Sequence, residues 1–214
     1  MNGNGKDPGP AARLAAAGDE AVQAFERRSE PMRALAAQAD AVADACHAMA
    51  IRFHQGGKLV VFGVGTSSTD AQHVAVEFVH PVIVGKRALP AISLTTDVAT
   101  VTGIAEREGM AEIFSHQLRY LAAPGDIAIG ICATGNCGSV LAGLATARES
   151  GLLTIALTGR ECVADSGVAD HVLVADSADP RVVKEMHVTM YHLLWELVHV
   201  FLEQPGTLSP GVFA

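Results

Sequence analysis

Positive charge is scarce in this 214-residue sequence: 15 Lys and Arg stand against 23 Asp and Glu, a formal net charge of −8. A duplex-binding surface needs clustered cations to displace counterions from phosphates, so nucleic acid is not an expected partner. Charge of either sign is thin as well. At 18% charged and 50% hydrophobic, the chain falls below the roughly 25% charged of an average domain and is too apolar for disorder. Subunits that cover one another's surfaces, an oligomer, are the expectation. No apolar run approaches the ~20 residues of a bilayer span, and the opening MNGNGKDPGP has no apolar segment after a basic cluster. Both absences point to a cytoplasmic protein with no membrane partner. Cys46, Cys132, Cys137 and Cys162 include no CxxC pair, which excludes a disulfide scaffold or a zinc knuckle and makes reduced, packed thiols the default.

The length suits one domain with extensions. Residues 1–10, rich in Gly, Asn and Pro, read as a disordered lead. Residues 11–54 turn to Ala, Leu and Glu at helical spacing, with Pro31 placed to open the first turn of a second helix. From 55 to 203, short runs that are apolar at every position (59–62, 91–94, 127–131, 152–157 and 171–174) alternate with helical stretches at 67–79, 97–106, 109–122, 138–150 and 180–203. Runs without polar alternation belong to strands covered on both faces, which predicts a five-stranded parallel sheet in an α/β fold. Residues 204–214 form a carboxyl-terminal tail. In such sheets ligands bind beyond the carboxyl ends of the strands.

Two of those ends carry the same kind of turn. Gly63-Val64-Gly65-Thr66-Ser67-Ser68-Thr69-Asp70 and Cys132-Ala133-Thr134-Gly135-Asn136-Cys137-Gly138-Ser139 are both rich in glycine and hydroxyls and both run into a helix. Backbone amides and hydroxyls at a helix start can cradle a phosphate, or simply cap the helix. Neither turn is a P-loop, since Gly-Lys-Ser/Thr is absent, and the first lacks the third glycine of a dinucleotide fingerprint.

Asp70, His73, Glu77 and His80 recur at spacings of three and four, which puts them on one side of a helix. His73 and Glu77 can share a metal or a proton, or form a plain hydrogen-bonded pair. Asp70 reads as an early-helix charge and His80 as a helix-end residue. The last helix carries Lys184, His187, His192 and His199 in an apolar segment. At 100° per residue Lys184 and His192 lie about 80° apart and can converge on one pocket. For His187 and His199 core or interface hydrogen bonding is expected, while Tyr191 and Trp195 read as packing residues.

In this order, GVGTSSTDAQHVAVEF, LPAISLTTD, PGDIAIGICATGN, LLTIALTG and KEMHVTMYH resemble the sugar isomerase (SIS) domain family, in its phosphoheptose isomerase branch. The resemblance implies a flavodoxin-like three-layer α/β/α sandwich, a homotetramer, and isomerisation of a small-molecule sugar phosphate, sedoheptulose 7-phosphate to a heptose 7-phosphate. It assigns Glu77 and His192 as the acid/base pair. His73, Glu77 and His192 would be the zinc ligands if zinc is bound. Gly65, Thr66, Ser67, Thr96, Asp97, Cys132, Ala133, Thr134, Asn136, Cys137 and Lys184 fall at substrate positions. A non-catalytic sugar-phosphate sensor or adaptor on the same domain is the alternative, and retention of His73, Glu77 and His192 favours the enzyme.

The chain departs from that pattern at four places. Lys184 stands where the family has its glutamine ligand, Cys132 and Cys137 replace serines of the phosphate turn, and Pro81 replaces an arginine. An inward-pointing Lys184 would bond Glu77 and oppose a cation. A metal-free site is therefore the expectation, with zinc and a water as the alternative if the lysine turns away.

Overall fold

The computed structural model describes residues 9–133, 137–160, 167 and 169–208. Five strands, β1 (Leu59–Gly63), β2 (Ala91–Ser93), β3 (Ile127–Cys132), β4 (Leu153–Gly159) and β5 (His171–Ala175), pair in parallel in the order β2-β1-β3-β4-β5. Strands β1, β3 and β4 are buried at every residue, as unbroken apolar runs require.

The pleat divides those residues between two layers. Leu59, Val61, Ile127, Ile129, Ile131, Ile155 and Leu157 face helices α2 (Ala39–His54), α3 (Thr66–Val79) and α7 (Pro180–Leu202) in one cluster. Val60, Phe62, Ala128, Cys132 and Ala156 face α4 (Val98–Glu108), α5 (Ser115–Leu121) and α6 (Gly138–Glu149) in the other. The second face is built from smaller side chains because α6 lies close to it. A Cβ at Gly130 would come within 2.9 Å of Val140 and Leu144. The result is the three-layer sandwich expected of alternating strands and helices.

The amino-terminal helices part from the expectation. Helix α1 runs unbroken from Pro10 to Ala36, through Pro31. The break falls instead at residues 37–38, where Gln38 leaves the helix and its side chain docks on β5. Its Nε2 donates to the Val174 carbonyl at 2.8 Å, and the Val174 amide donates to its Oε1 at 2.9 Å. A proline in a helix loses one backbone bond, and packing of the buried Pro31 and Leu35 carries the helix past it. Arg28 fixes α1 to α7 through a two-pronged bond to Glu185, each arm 2.6 Å. The stretch expected as one helix at 109–122 is likewise two pieces, a 3₁₀ turn at Met110–Glu112 and then α5. Residues 1–8 of the expected lead lie outside the described residues.

Candidate active site

The turn between β1 and α3 is shaped by Gly65, whose φ of +60° is a conformation side chains with a Cβ rarely adopt. Ser67 is buried, and a Cβ at Gly63 would come within 2.9 Å of it. The Ser68 hydroxyl donates to the Gly65 carbonyl and the Thr69 hydroxyl to the Thr66 carbonyl, both at 2.7 Å. From the neighbouring strand end, Thr95 donates to the Ser68 carbonyl at 3.2 Å. A cavity of about 220 Å³ opens over this turn, lined by Gly63, Gly65, Ser68 and Thr95 on one side and by Val101, Met110 and Phe114 on the other. Thr96 donates to the Ser93 carbonyl. Asp97 caps α4, accepting from the Thr100 amide and hydroxyl, and the Thr100 hydroxyl bond, then the amide, holds its carboxyl below the ordinary range.

Lys184 reaches this turn from α7. Its ammonium donates to Asp70 Oδ1 at 2.7 Å, to the Thr66 carbonyl at 3.1 Å and to the Thr69 hydroxyl at 3.3 Å. An ammonium has three hydrogens, and these bonds account for all of them. The expected bond to Glu77 is not made, and Asp70 is more than an early-helix charge. Its carboxylate is buried, with only 6% of the side chain exposed, and pairs with the lysine. The premise for a metal-free site, an ammonium placed on Glu77, is therefore not met.

Glu77 lies ten residues along α3 from Ser67, about 15 Å at 1.5 Å per residue. It is buried, and its Oε1 is 3.1 Å from His73 Nε2. The His73 ring stands edge-on to that of His192, with centroids 5.2 Å apart. One ligand atom from each of His73, Glu77 and His192 can be chosen so that all lie within 4.8 Å of one another. Two imidazoles and a carboxylate are the donor set of a three-ligand zinc site that leaves a position for water. The residues present fit the ion, and Lys184 is engaged elsewhere.

Tyr191 is the residue the sequence pattern missed. It is buried in the α3–α7 seam, and its hydroxyl lies 2.8 Å from His73 Nδ1. Burial first, then the charges of Asp70 and Glu77, raise its ionisation well above the ordinary phenol range, which keeps it a phenol. The signal was available: Tyr191 falls seven residues after Lys184, two helical turns, so both face α3.

The turn after β3 differs from expectation. Cys132, the last residue of β3, and Cys137, the N-cap of α6, form a disulfide where reduced thiols were expected. Two sulfurs five positions apart in sequence lie within bonding reach, which no CxxC count detects. Ala133 lies at the strand end between them, while Thr134 and Asn136 lie outside the described residues. In the last helix His199 meets its expectation, with Nδ1 on the Trp195 carbonyl at 2.8 Å and Nε2 on the Arg87 carbonyl at 2.9 Å. His187 does not. It is fully buried against the Thr158 backbone, and among the described residues neither ring nitrogen has a hydrogen bond of ordinary geometry; burial lowers its pKa.

Residues 25–159 match the SIS domain family. The phosphoheptose isomerase of Desulfovibrio desulfuricans is 41% identical over 163 residues, 75% of this chain and 77% of that protein. That of Aquifex aeolicus is 38% identical over 160 residues, 75% of this chain and 84% of its own. Among solved structures, a phosphoheptose isomerase from Francisella tularensis superposes with a TM-score of 0.79 at 29% identity, over 85% of this chain and 97% of the other.

Proposed function

The chain belongs to the SIS domain family and, within it, to the phosphoheptose isomerases, which interconvert sedoheptulose 7-phosphate and a heptose 7-phosphate, and we propose that it works through Glu77 and His192. The observation that carries this reading is the placement of two unlike sites at opposite ends of α3. In a ketose 7-phosphate the reacting carbons and the phosphate are likewise at opposite ends. The turn at Gly65, Thr66 and Ser67 holds the phosphate, with Cys132, Ala133 and Cys137 beside it at the end of β3 and the start of α6, and the expected roles of Thr134 and Asn136 fall outside the described residues. Thr96 and Asp97 lie along the sugar.

The reaction moves one proton between adjacent carbons through an enediol. Glu77 removes the carbon-bound proton, and its burial shields that step from water. His192 carries a proton between the two substrate oxygens. His73 holds Glu77 in place from one turn away. Zinc on His73, Glu77 and His192, with a water, supplies a Lewis acid for the developing oxyanion when bound. Lys184 acts on the substrate through the turn it braces.

In this reading residues 55–203 form the catalytic domain and 11–54 the helices that join copies, with 1–10 a lead and 204–214 a tail. The assembly is a cytoplasmic homotetramer that binds neither nucleic acid nor membrane. No helix among the described residues is long and apolar enough to cross a membrane. Leu14, Val22 and Phe25 stand 77%, 56% and 75% exposed along α1, apolar surface that other copies would cover.

The test is proton exchange from deuterated water into a panel of five-, six- and seven-carbon sugar phosphates. Exchange should be fastest with the seven-carbon ketose. In Glu77→Gln, which keeps the shape but cannot accept the proton, exchange should vanish while binding persists. Undiminished exchange in that variant would remove Glu77 from the mechanism.

A further inference from the structure

A buried hydroxyl needs a reason. A phenylalanine would fill the space of Tyr191 without requiring a partner, and the neighbours of Tyr191 on the buried side of α7, Met190, Leu194 and Val198, are apolar. Burying a hydroxyl without a hydrogen bond is costly. The Tyr191 oxygen meets that cost by facing His73 Nδ1 at 2.8 Å.

The other side of the same ring fixes the direction of that bond. His73 Nε2 faces Glu77 Oε1 at 3.1 Å. A carboxylate oxygen accepts, so in the neutral imidazole Nε2 carries the hydrogen and Nδ1 presents its lone pair. The phenol is then the donor. His73 is 42% exposed at its side chain, and water alone would allow its ring to turn over or exchange tautomers. We propose that Tyr191 is a positioning residue for the isomerase site, its hydroxyl bonded to His73 Nδ1 and holding the ring with Nε2 toward Glu77, the phenol donating while the imidazole is neutral and metal-free. The inference rests on the proposed function for its catalytic consequence, though not for its geometry. A hydroxyl both donates and accepts, so the contact also survives the tautomer change that metal ligation at Nε2 would impose.

The order of contacts is Tyr191, His73, Glu77, with the His192 ring edge-on to both Tyr191 and His73 at 4.9 and 5.2 Å between centroids. Loss of the hydroxyl leaves the packing of the ring intact and frees the imidazole. The effect should therefore fall on turnover and leave the fold unchanged.

The experiment compares the full chain with Tyr191→Phe, both treated with chelator, by ¹⁵N NMR of the His73 side chain. The wild type should show a single tautomer protonated at Nε2, with Nδ1 accepting a hydrogen bond. The variant should melt within a few degrees of the wild type and show averaged tautomer shifts, and, assayed as purified without chelator, should lose about ten- to a hundredfold in kcat with KM little changed. An unchanged His73 spectrum or an unchanged kcat in the variant overturns the proposal. So does a wild-type His73 protonated on Nδ1, a reading that decides the matter even if the variant fails to fold. If the wild type exchanges no proton with any sugar phosphate, the isomerase reading fails while the nitrogen spectra still decide the role of Tyr191.

Discussion

The turn after β1 and the turn after β3 leave neighbouring strands at the same edge of the sheet, yet one is held by hydrogen bonds and the other is spanned by a covalent bond. The first depends on a distant helix: Lys184, 114 residues from Asp70, gathers the Thr66 carbonyl, the Thr69 hydroxyl and the Asp70 carboxylate. The second closes on itself through Cys132 and Cys137, five residues apart. Two turns of one composition therefore answer to different conditions. The first depends on the charge and placement of α7, and the second on the bond between two sulfurs.

The largest expected effect is at the first turn. Lys184→Met leaves a buried carboxylate unpaired. Breaking a fully buried pair costs about 3–5 kcal/mol, and the partial exposure of Lys184 reduces this to about 2–3 kcal/mol, a melting temperature lower by roughly 5–10 °C. Asp70→Asn should cost less, because the lysine left behind is 38% exposed and can return to water. Calorimetry showing Asp70→Asn as the worse of the two would mean that the turn is not held through the buried charge.

The disulfide comes next. A thiol/disulfide exchange with a dithiol reductant, which forms its own cyclic disulfide and leaves two cysteine thiols, should lower stability by about 2 kcal/mol for so short a loop. It should leave the Lys184→Met deficit the same size. Alkylation with mass spectrometry checks the premise: without reductant Cys132 and Cys137 should resist modification, and after reduction both should react. Alkylation of both without reductant would show that no covalent bond spans the second turn.

The smallest effect is with pH. Burial lowers the pKa of His187, with Asp70 opposing and Lys184 assisting more weakly, so the folded protein favours the neutral ring. That contribution to stability is full above the unfolded value near 6.5 and is lost as pH falls through the lower folded value. His187→Gln should therefore flatten the stability profile below about pH 6.5. Reduction of the disulfide should leave the slope unchanged. An equal slope in both proteins would take His187 out of the first turn's response to acid.

The parts of the molecule that were legible beforehand follow from local physics. A strand covered on both faces has no polar alternation, so β1, β3 and β4 appear in the sequence within two residues of their observed ends. His73 and Glu77 share a helix, and their i, i+4 spacing alone makes them neighbours. The missed contacts depend on which side chain meets which across packed elements. Asp70 meets Lys184 and His73 meets Tyr191 only because α3 and α7 lie side by side. Pro31 misled for a related reason, since proline marks where a helix is weakened, while burial decided where α1 ends.

Gln38 leaves one more mark on the molecule. Strand β5 is the last in the sheet, and the amide and carbonyl of Val174, turned away from β4, are both taken by that single side chain. A sheet extends when an extended chain finds free groups along its margin. Here a carboxamide occupies the place of one peptide unit of a sixth strand and then leads back into a helix. It serves as a terminator, so at Val174 growth from strand to strand, within the molecule or between molecules, meets a margin already satisfied.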